Sequence, residues 1–184
     1  FSISFGTGKI TYHNDHIEDD WNVTLADTGL KSMTGSRISQ IKNYVGNEDF
    51  MITYGDGLSD VEIDKLIEFH KSHGKILTIT GVRPPARFGE MNINEEGQVL
   101  EFNEKPQSLA GRISGGFFVA SPKLFDYLND SEDLVFEQQP IRELVSDNQV
   151  MMYKHDGFWQ PMDTSREYQL LNSLYDKGEA PWTK

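Results

Sequence analysis

The sequence contains no cysteine, which excludes disulfide bonds and thiolate metal sites. It has no apolar run of membrane-spanning length and no segment that resembles a signal peptide, so we expect a cytoplasmic protein without a membrane partner. Positive charge is scarce, because 17 lysines and arginines stand against 29 aspartates and glutamates. The resulting net charge of −12 argues against a nucleic-acid partner, although a few local cations can still attract a small anion into a cleft.

The chain does contain enough apolar material for one core. Its 184 residues are 37% hydrophobic and 11% aromatic, as in a globular protein rather than a disordered one. We expect residues 1–184 to form a single domain. The chain opens on an apolar run, residues 1–5, without an initiator methionine, and we therefore expect it to be the C-terminal portion of a longer protein.

Strand and helix patterns alternate along the chain and predict an α/β fold. Helical spacing covers 34–45 and the segment from Ser59, where Ser59 and Glu62 form a capping-box pattern. Residues 94–97 lie between two apolar runs and indicate a hairpin. We predict three layers around a Rossmann-like, mostly parallel sheet, with a β-hairpin region inserted around residues 84–118. The predicted strands are 1–5, 22–25, 50–54, 76–80, 117–120 and 149–154, and the later helices are 122–128, 137–146 and one after Asp163.

Two aspartates are candidate metal ligands because each follows an apolar run. Asp56 lies between glycines in residues 53–57 (Thr-Tyr-Gly-Asp-Gly), and Asp163 lies in residues 157–164 (Gly-Phe-Trp-Gln-Pro-Met-Asp-Thr). Two carboxylates from distant strand ends can hold one hard divalent cation against phosphates. The structural alternative is that Asp56 belongs to a tight turn and that Asp163 caps the final helix.

Other segments carry candidate ligand-binding residues. Residues 104–106 (Glu-Lys-Pro) suit a sugar phosphate or an exposed ion pair, and the glycines at 89 and 115–116 suit a backbone contact or a β-bulge. Residues 28–37 form a loop rich in glycine and hydroxyl groups that opens a helix and ends in an arginine, which suits an anion; a flexible solvated loop is the alternative. His70 and His73 lack a third metal ligand, so we expect them on the surface.

Together these motifs resemble those of the sugar-phosphate nucleotidyltransferases. Residues 104–106 are typical of the whole superfamily, whereas residues 54–57 and 158–164 together indicate its cytidylyltransferase branch. The matching segments run through nearly the whole chain: 21–25, 27–29, 33–35, 53–57, 69–71, 87–89, 104–106, 115–118, 157–164 and 180–182.

The resemblance implies a reaction and a role for each matching residue. The reaction transfers a cytidylyl group from CTP to α-D-glucose 1-phosphate, giving CDP-glucose and pyrophosphate, as in the nucleotide-sugar supply for lipopolysaccharide O-antigen. Asp56 and Asp163 would hold Mg²⁺ and, with Lys105, would be the catalytic residues. The implied binding residues are Glu104, Lys105, Gly89 and Gly116 for the sugar phosphate, and Ser32, Arg37 and Gly55 for the nucleotide.

The chain also departs from the family pattern. The Gly-Gly-x-Gly-Thr-Arg loop and the lysine that bind the nucleotide triphosphate are not found in it, so we expect the 184 residues to be inactive alone. An incomplete sheet would expose an apolar edge, and we expect a homo-oligomer. Ser114 stands where the family usually has Asn, and Ser36 stands where it usually has a glycine-like residue.

Three alternatives remain open at this point. One is a nucleotidyltransferase that uses another nucleoside triphosphate or another sugar phosphate. A second is a glycosyltransferase-like protein, which would show two aspartates separated by one residue, whereas Tyr54 and Leu58 occupy those positions around Asp56. The third is a non-catalytic protein that binds nucleotide sugars, which turnover of CTP would distinguish from an enzyme.

Overall fold

The computed structural model describes residues 2–11, 21–84, 90–103 and 111–183. The strands in these ranges are β1 (Ser2–Ser4), β2 (Lys9–Thr11), β3 (Phe50–Thr53), β4 (Gly57–Ser59), β5 (Leu77–Val82), β6 (Glu90–Ile93), β7 (Val99–Asn103), β8 (Ile113–Ala120), β9 (Val150–Lys154) and β10 (Trp159–Pro161). The α-helices are α1 (Thr34–Gln40), α2 (Lys42–Val45), α3 (Ile63–His73), α4 (Gln139–Ser146) and α5 (Ser165–Asp176), and Pro122–Tyr127 and Pro181–Thr183 form 3-10 helices.

A four-stranded sheet in the order β3-β8-β5-β9 forms the centre of the described residues. β8 pairs antiparallel with both β3 and β5, and β5 pairs parallel with β9. Strands β3, β5 and β9 therefore point in one direction and only β8 opposes them. The predicted α/β fold is confirmed, and the sheet is mixed, because two of its three strand pairings are antiparallel.

Helices cover both faces of this sheet. On one face, Phe118 of β8 and Leu77 of β5 share an apolar cluster with residues from α1, α4 and the first 3-10 helix, including Leu124 and Leu144. On the other face, α3 contacts β5, β8 and β9 and buries Leu66. Successive side chains of a strand point to opposite faces, so the sheet packs against helices on both sides, as the three-layer prediction requires.

The predicted hairpin insertion is also present. β6 and β7 pair antiparallel, apart from the central sheet. Gly97 closes the turn at a φ of +84°, in the left-handed region that glycine adopts at little cost. The side chain of Asn94 accepts a 2.8 Å hydrogen bond from the backbone N–H of Gln98 within the same turn. The turn signal at 94–97 therefore identified this hairpin correctly.

Three local predictions were wrong. Residues 22–25 form no strand, and the side chains of Val23 and Leu25 are exposed, so their alternation has no pairing strand within the described residues. The helix predicted over 34–45 is interrupted at Ile41 and forms the separate helices α1 and α2. Ser59 does not cap α3, because it belongs to β4 and the helix begins after Glu62 without a side-chain cap.

The histidines of α3 are not surface residues, contrary to prediction. His70 is 2% exposed, and both His70 Nδ1 and His73 Nε2 lie 2.8 Å from Thr78 Oγ1 on β5. The pair therefore joins the helix to the sheet. No helix within the described ranges is long and apolar enough to cross a membrane.

Candidate active site

Asp56 lies just beyond the carboxyl end of β3, as the sequence predicted. β3 ends at Thr53, and residues 54–56 lead into β4. This turn borders a cavity of about 520 Å³, and ligands of open α/β sheets bind at such strand ends. The residues lining the cavity are Thr34, Thr53, Tyr54, Gly55, Asp56 and Glu137.

A short antiparallel ladder brings Asp163 to the same place. β4 pairs with β10, with Gly57 opposite Pro161. One step further, the backbone N–H of Met162 donates a 2.7 Å hydrogen bond to the backbone oxygen of Asp56. Asp163 is the next residue, so two aspartates that are distant in the sequence lie just beyond the same end of this ladder.

Asp163 does not cap the final helix. The N-cap of α5 is Thr164, whose side chain accepts a hydrogen bond from the backbone N–H of Glu167. The Glu167 carboxylate in turn accepts from the backbone N–H groups of both Asp163 and Thr164, at 2.9 Å each. This capping box fixes the backbone of Asp163 while leaving its side chain out of the cap.

Both candidate carboxylates are accessible to a ligand. Asp56 and Asp163 are exposed, and neither side chain forms a hydrogen bond or an ion pair within the described ranges. Asp163 uses only its backbone N–H, in the capping box, and Asp56 uses only its backbone oxygen, in the ladder. Neither carboxylate is therefore committed to holding the fold together.

Gly116 lies against the turn that carries Asp56. Its φ is +78°, and a Cβ at this position would lie 3.1 Å from the ring of Tyr54. Its backbone oxygen accepts from the N–H of Tyr54 at 3.1 Å, and its N–H donates to Ser114 Oγ at 3.3 Å. A glycine is therefore required at position 116 by the positive φ and by the close approach of Tyr54. Both of its backbone polar groups have hydrogen-bond partners. The serine that replaces the usual Asn is one of those partners.

Trp159 joins β10 to the central sheet beside the same turn. Its Nε1–H donates a 2.8 Å hydrogen bond to the backbone oxygen of Gly115 on β8. The indole also lies 3.5 Å from where a Cβ on Gly57 would be, so the space between the strands is filled. Trp159 therefore anchors β10, the strand that leads to Asp163, to the central sheet.

The three residues expected on the nucleotide side lie in different places. Gly55 lines the cavity beside Asp56. Ser32 is buried, and its hydroxyl lies 3.3 Å from the amide of Gln40. Arg37 donates to Thr28 Oγ1 at 2.7 Å and to the backbone oxygen of Leu30 at 3.4 Å. Ser32 and Arg37 thus hold the 28–37 loop in shape, and only Gly55 borders the same cavity as Asp56.

Thr34 and Glu137 also line the cavity, and neither was among the predicted site residues. Thr34 Oγ1 donates a 2.8 Å hydrogen bond to Glu137 Oε2 and accepts one from the N–H of Phe136. The backbone N–H of Gly35 also binds Leu134, so the start of α1 is fastened to residues 134–137. Thr34 belongs to the 33–35 motif, which was the available signal, whereas nothing in the sequence indicates Glu137.

An arginine cluster at the carboxyl end of β5 was also missed. Arg112 donates to the backbone oxygens of Gly81 and His155, and its second nitrogen lies 2.6 Å from Asp156 Oδ1. Arg83 reaches the same oxygen at 3.0 Å. The hydrogen bonds from Arg112 and then Arg83 lower the pKa of Asp156 below its ordinary value. The cluster ties the end of β9 to β5 and β8, just before the chain reaches β10.

Ser59, Asp60 and His155 meet but do not form a nucleophilic triad. Asp60 Oδ1 is 2.9 Å and Ser59 Oγ is 3.2 Å from the same imidazole atom, His155 Nε2. A serine nucleophile needs its base to contact serine and aspartate through opposite ring nitrogens. Ser59 Oγ instead donates to the backbone oxygen of Phe158, so the group joins β4 to the segment before β10.

The remaining predicted site residues, Gly89, Glu104 and Lys105, lie outside the described residues. Of the predicted set, the structure brings Gly55, Asp56, Asp163 and Gly116 to the carboxyl edge of the sheet.

The chain is similar in sequence and in fold to known proteins. A family model described as nucleotidyl transferase matches residues 11–173. A glucose-1-phosphate cytidylyltransferase of Salmonella typhi is 45% identical over 175 residues, covering 95% of this chain and 67% of the relative. A Bacillus subtilis protein assigned as a glucose-1-phosphate cytidylyltransferase is 38% identical over 164 residues, covering 89% of this chain and 64% of the relative. The chain thus spans about two thirds of the length of these curated relatives.

A solved structure supports the fold alone. The structure of a Bacillus anthracis protein described as a glucose-1-phosphate thymidylyltransferase superimposes with a TM-score of 0.58 at 18% identity. The match covers 78% of this chain and 61% of that one. The described sheet and its helices therefore share the fold of that protein.

Proposed function

The chain belongs to the nucleotidyl transferase family, and on this premise we propose that the protein transfers a cytidylyl group from CTP to α-D-glucose 1-phosphate. The products are CDP-glucose and pyrophosphate. The similarity to two glucose-1-phosphate cytidylyltransferases supports the choice of nucleotide and sugar. We assign residues 1–184 to one nucleotidyltransferase domain, since the central sheet draws its strands from residues 50–154.

The single observation that supports this proposal is the β4–β10 ladder: just beyond its end the backbone N–H of Met162, the residue before Asp163, binds the backbone oxygen of Asp56, and Asp56 lines the cavity. In the described ranges, no cluster of three or more histidine, cysteine, aspartate or glutamate side chains forms a metal site. Two free carboxylates completed by substrate oxygens are a ligand set that Mg²⁺ commonly takes. The donor chemistry therefore fits Mg²⁺ held by Asp56 and Asp163.

The reaction itself needs little covalent chemistry from the protein. A phosphate oxygen of glucose 1-phosphate attacks the α-phosphorus of CTP in line, a new P–O bond forms, and the bond to the β-phosphate breaks to release pyrophosphate. Both reactants are anions, so their approach must be compensated by positive charge. Mg²⁺, when bound, supplies part of that charge and orients the two phosphates.

The remaining roles are assigned to other protein groups. We assign Lys105 to the sugar phosphate, as a cation next to the attacking oxygen, and Glu104 to the sugar hydroxyls. Gly89 and Gly116 let the backbone approach the sugar, and Gly55 does so for the nucleotide. Ser32 and Arg37 support the nucleotide side by holding the 28–37 loop, as their internal hydrogen bonds indicate.

Exchange of each aspartate for its amide, made in the full-length protein, tests the proposal. Asp56→Asn and Asp163→Asn keep the shape of the side chain but remove its charge, so each should lower pyrophosphate release by about 100-fold or more. Asp176→Asn, an exposed position at the end of α5, is the matched control and should keep wild-type activity. Thermal unfolding should show that all three variants fold.

Two results would contradict the proposal in different ways. Wild-type turnover in either amide variant would show that the residue has no metal-binding role. Turnover by the wild-type protein with UTP, GTP or dTTP in preference to CTP, or with a different sugar phosphate, would show that the family is right and the substrates are wrong. Absence of turnover under all these conditions would favour a non-catalytic binding protein.

A further inference from the structure

A second cavity lies at the opposite edge of the central sheet from Asp56. It has a volume of about 450 Å³ and lies beside the amino ends of β3, β5 and β9. We call it the amino-edge cavity, and it is large enough for a small phosphorylated molecule. The lining residues that matter here are Asp49, His70, Lys71, Lys75, Lys123 and Tyr127.

The charge of this cavity is opposite to that of the whole chain. The chain carries a net charge of −12, yet Lys71, Lys75 and Lys123 surround the cavity against one carboxylate, Asp49. Within the described residues, none of these three ammonium groups forms an ion pair. Clustered cations that no protein carboxylate neutralises produce a local positive field that attracts anions.

The hydrogen bonds beneath the cavity fix the proton of a buried histidine. The backbone N–H of Lys75 donates to His73 Nδ1 at 2.9 Å, so the proton of neutral His73 is on Nε2, which donates to Thr78 Oγ1. The Thr78 hydroxyl can then donate to His70 Nδ1, 2.8 Å away. Burial lowers the pKa of both imidazoles, which keeps them neutral. His70 therefore carries its proton on Nε2.

That proton lacks a protein acceptor within the described ranges. His70 is 2% exposed, and its Nε2 lies 3.9 Å from Asp49 Oδ2, which is too long for a hydrogen bond. The imidazole lines the amino-edge cavity, so its N–H is available to a molecule there. A buried donor with a fixed tautomer, adjacent to three free ammonium groups, is an arrangement suited to an oxyanion.

We propose that the amino-edge cavity binds a small phosphate-bearing anion, with His70 Nε2–H as its buried donor and Lys71, Lys75 and Lys123 as its counter-charges. Three ammonium groups attract a doubly charged phosphate more strongly than a singly charged carboxylate. The Tyr127 hydroxyl donates its proton to Asp147 Oδ2 at 2.8 Å, so we do not assign it as a donor to the anion. This site is separate from the carboxyl-edge site and does not depend on the proposed activity.

Titration with inorganic phosphate and with glucose 1-phosphate, without metal ions and at constant ionic strength, tests the proposal. The readout is the ¹⁵N resonance of the His70 ring, which should shift saturably when the cavity is filled. Lys75→Gln combined with Lys123→Gln should weaken binding by about tenfold or more, since charge-assisted contacts are lost. The control pair Lys9→Gln and Lys177→Gln makes the same charge change at distant exposed positions and should leave Kd unchanged.

Asp49→Asn discriminates between an anion and a cation in the cavity. Removal of this carboxylate should tighten phosphate binding several-fold, because its repulsion is lost. Tighter binding of glucose 1-phosphate would identify a phosphorylated metabolite as the ligand, and equal binding would identify phosphate alone. The proposal fails if the His70 resonance does not saturate, if Asp49→Asn weakens binding, or if the control pair weakens binding as much as the lysine pair.

Discussion

At the scale of single residues, the histidine pair on α3 makes stability depend on pH. His70 and His73 share one hydroxyl, that of Thr78, which is fully buried in β5. Burial is the main cause of the lowered pKa of both histidines, and in His73 the nearby His70 and Lys75 lower it further. Asp49 acts in the opposite direction on His70. The charged neighbours facing the pair are thus Asp49, Lys71, Lys75 and Lys123.

We predict that the protein loses stability as the pH falls below about 6.5, the ordinary pKa of histidine. Above that value both imidazoles are neutral in the folded and unfolded states, so their full contribution is present. Below it the histidines are protonated in the unfolded chain but still neutral in the folded protein. The free energy of unfolding therefore decreases until the pH reaches the lowered pKa of the folded state. Urea unfolding at several pH values between about 5.5 and 8 measures this slope.

The double variant His70→Gln, His73→Gln is the control for this prediction. Glutamine keeps a polar side chain near Thr78 but cannot titrate, so the pH slope should become shallower. An unchanged slope would assign the pH dependence to groups outside the pair.

At the scale of elements, the two capping-box patterns show what local sequence can decide. Ser59 with Glu62 and Thr164 with Glu167 have the same Ser/Thr-x-x-Glu spacing, yet only the second forms a capping box. Ser59 is instead paired with Trp159 in the β4–β10 ladder. Pairing with a strand a hundred positions away overrides a local preference worth about 1 kcal/mol, and local spacing contains no sign of it.

We predict that Thr164→Ala lowers the free energy of unfolding by about 1 kcal/mol, because the N-cap of α5 is lost. Asp163→Asn should change it by less than about 0.5 kcal/mol, since its side chain takes no part in the cap. Urea unfolding of both variants, with activity measured in parallel, separates the helix start from the proposed metal ligand. A large loss of stability in Asp163→Asn would mean that its effect on activity arises from folding.

At the scale of the whole molecule, the sequence predicted the layers and several residues of the candidate site, but not the strand pairing that brings them together. The apolar runs of β3, β5 and β9 and the turn at 94–97 were sufficient for the fold class and the hairpin. Asp56 and Asp163 could be selected separately, each at the end of an apolar run. Their meeting depends on the β4–β10 ladder, whose short strands have no distinctive pattern, and the same holds for the contact of Arg112 with Asp156.

The surface of the described residues includes a segment whose apolar side chains are largely exposed. In residues 21–30, Trp21, Val23, Leu25 and Leu30 are between 71% and 96% exposed. β3 and β9 also form the two edges of the central sheet as described, and strand edges can pair with another chain. Contiguous exposed apolar groups favour association, because burial releases them from water.

We therefore predict that the 184-residue chain, studied by itself, associates with copies of itself, and that residues 21–30 contribute to the contact. Val23→Lys with Leu25→Lys should shift the population toward monomer in sedimentation velocity, because charge cannot be buried there without a partner. Asn22→Lys with Thr24→Lys is the matched control, since it adds the same charge at the alternate positions of the same segment. A monomer at every concentration would contradict the prediction. Equal effects of the two pairs of substitutions would show that the contact lies outside residues 21–30.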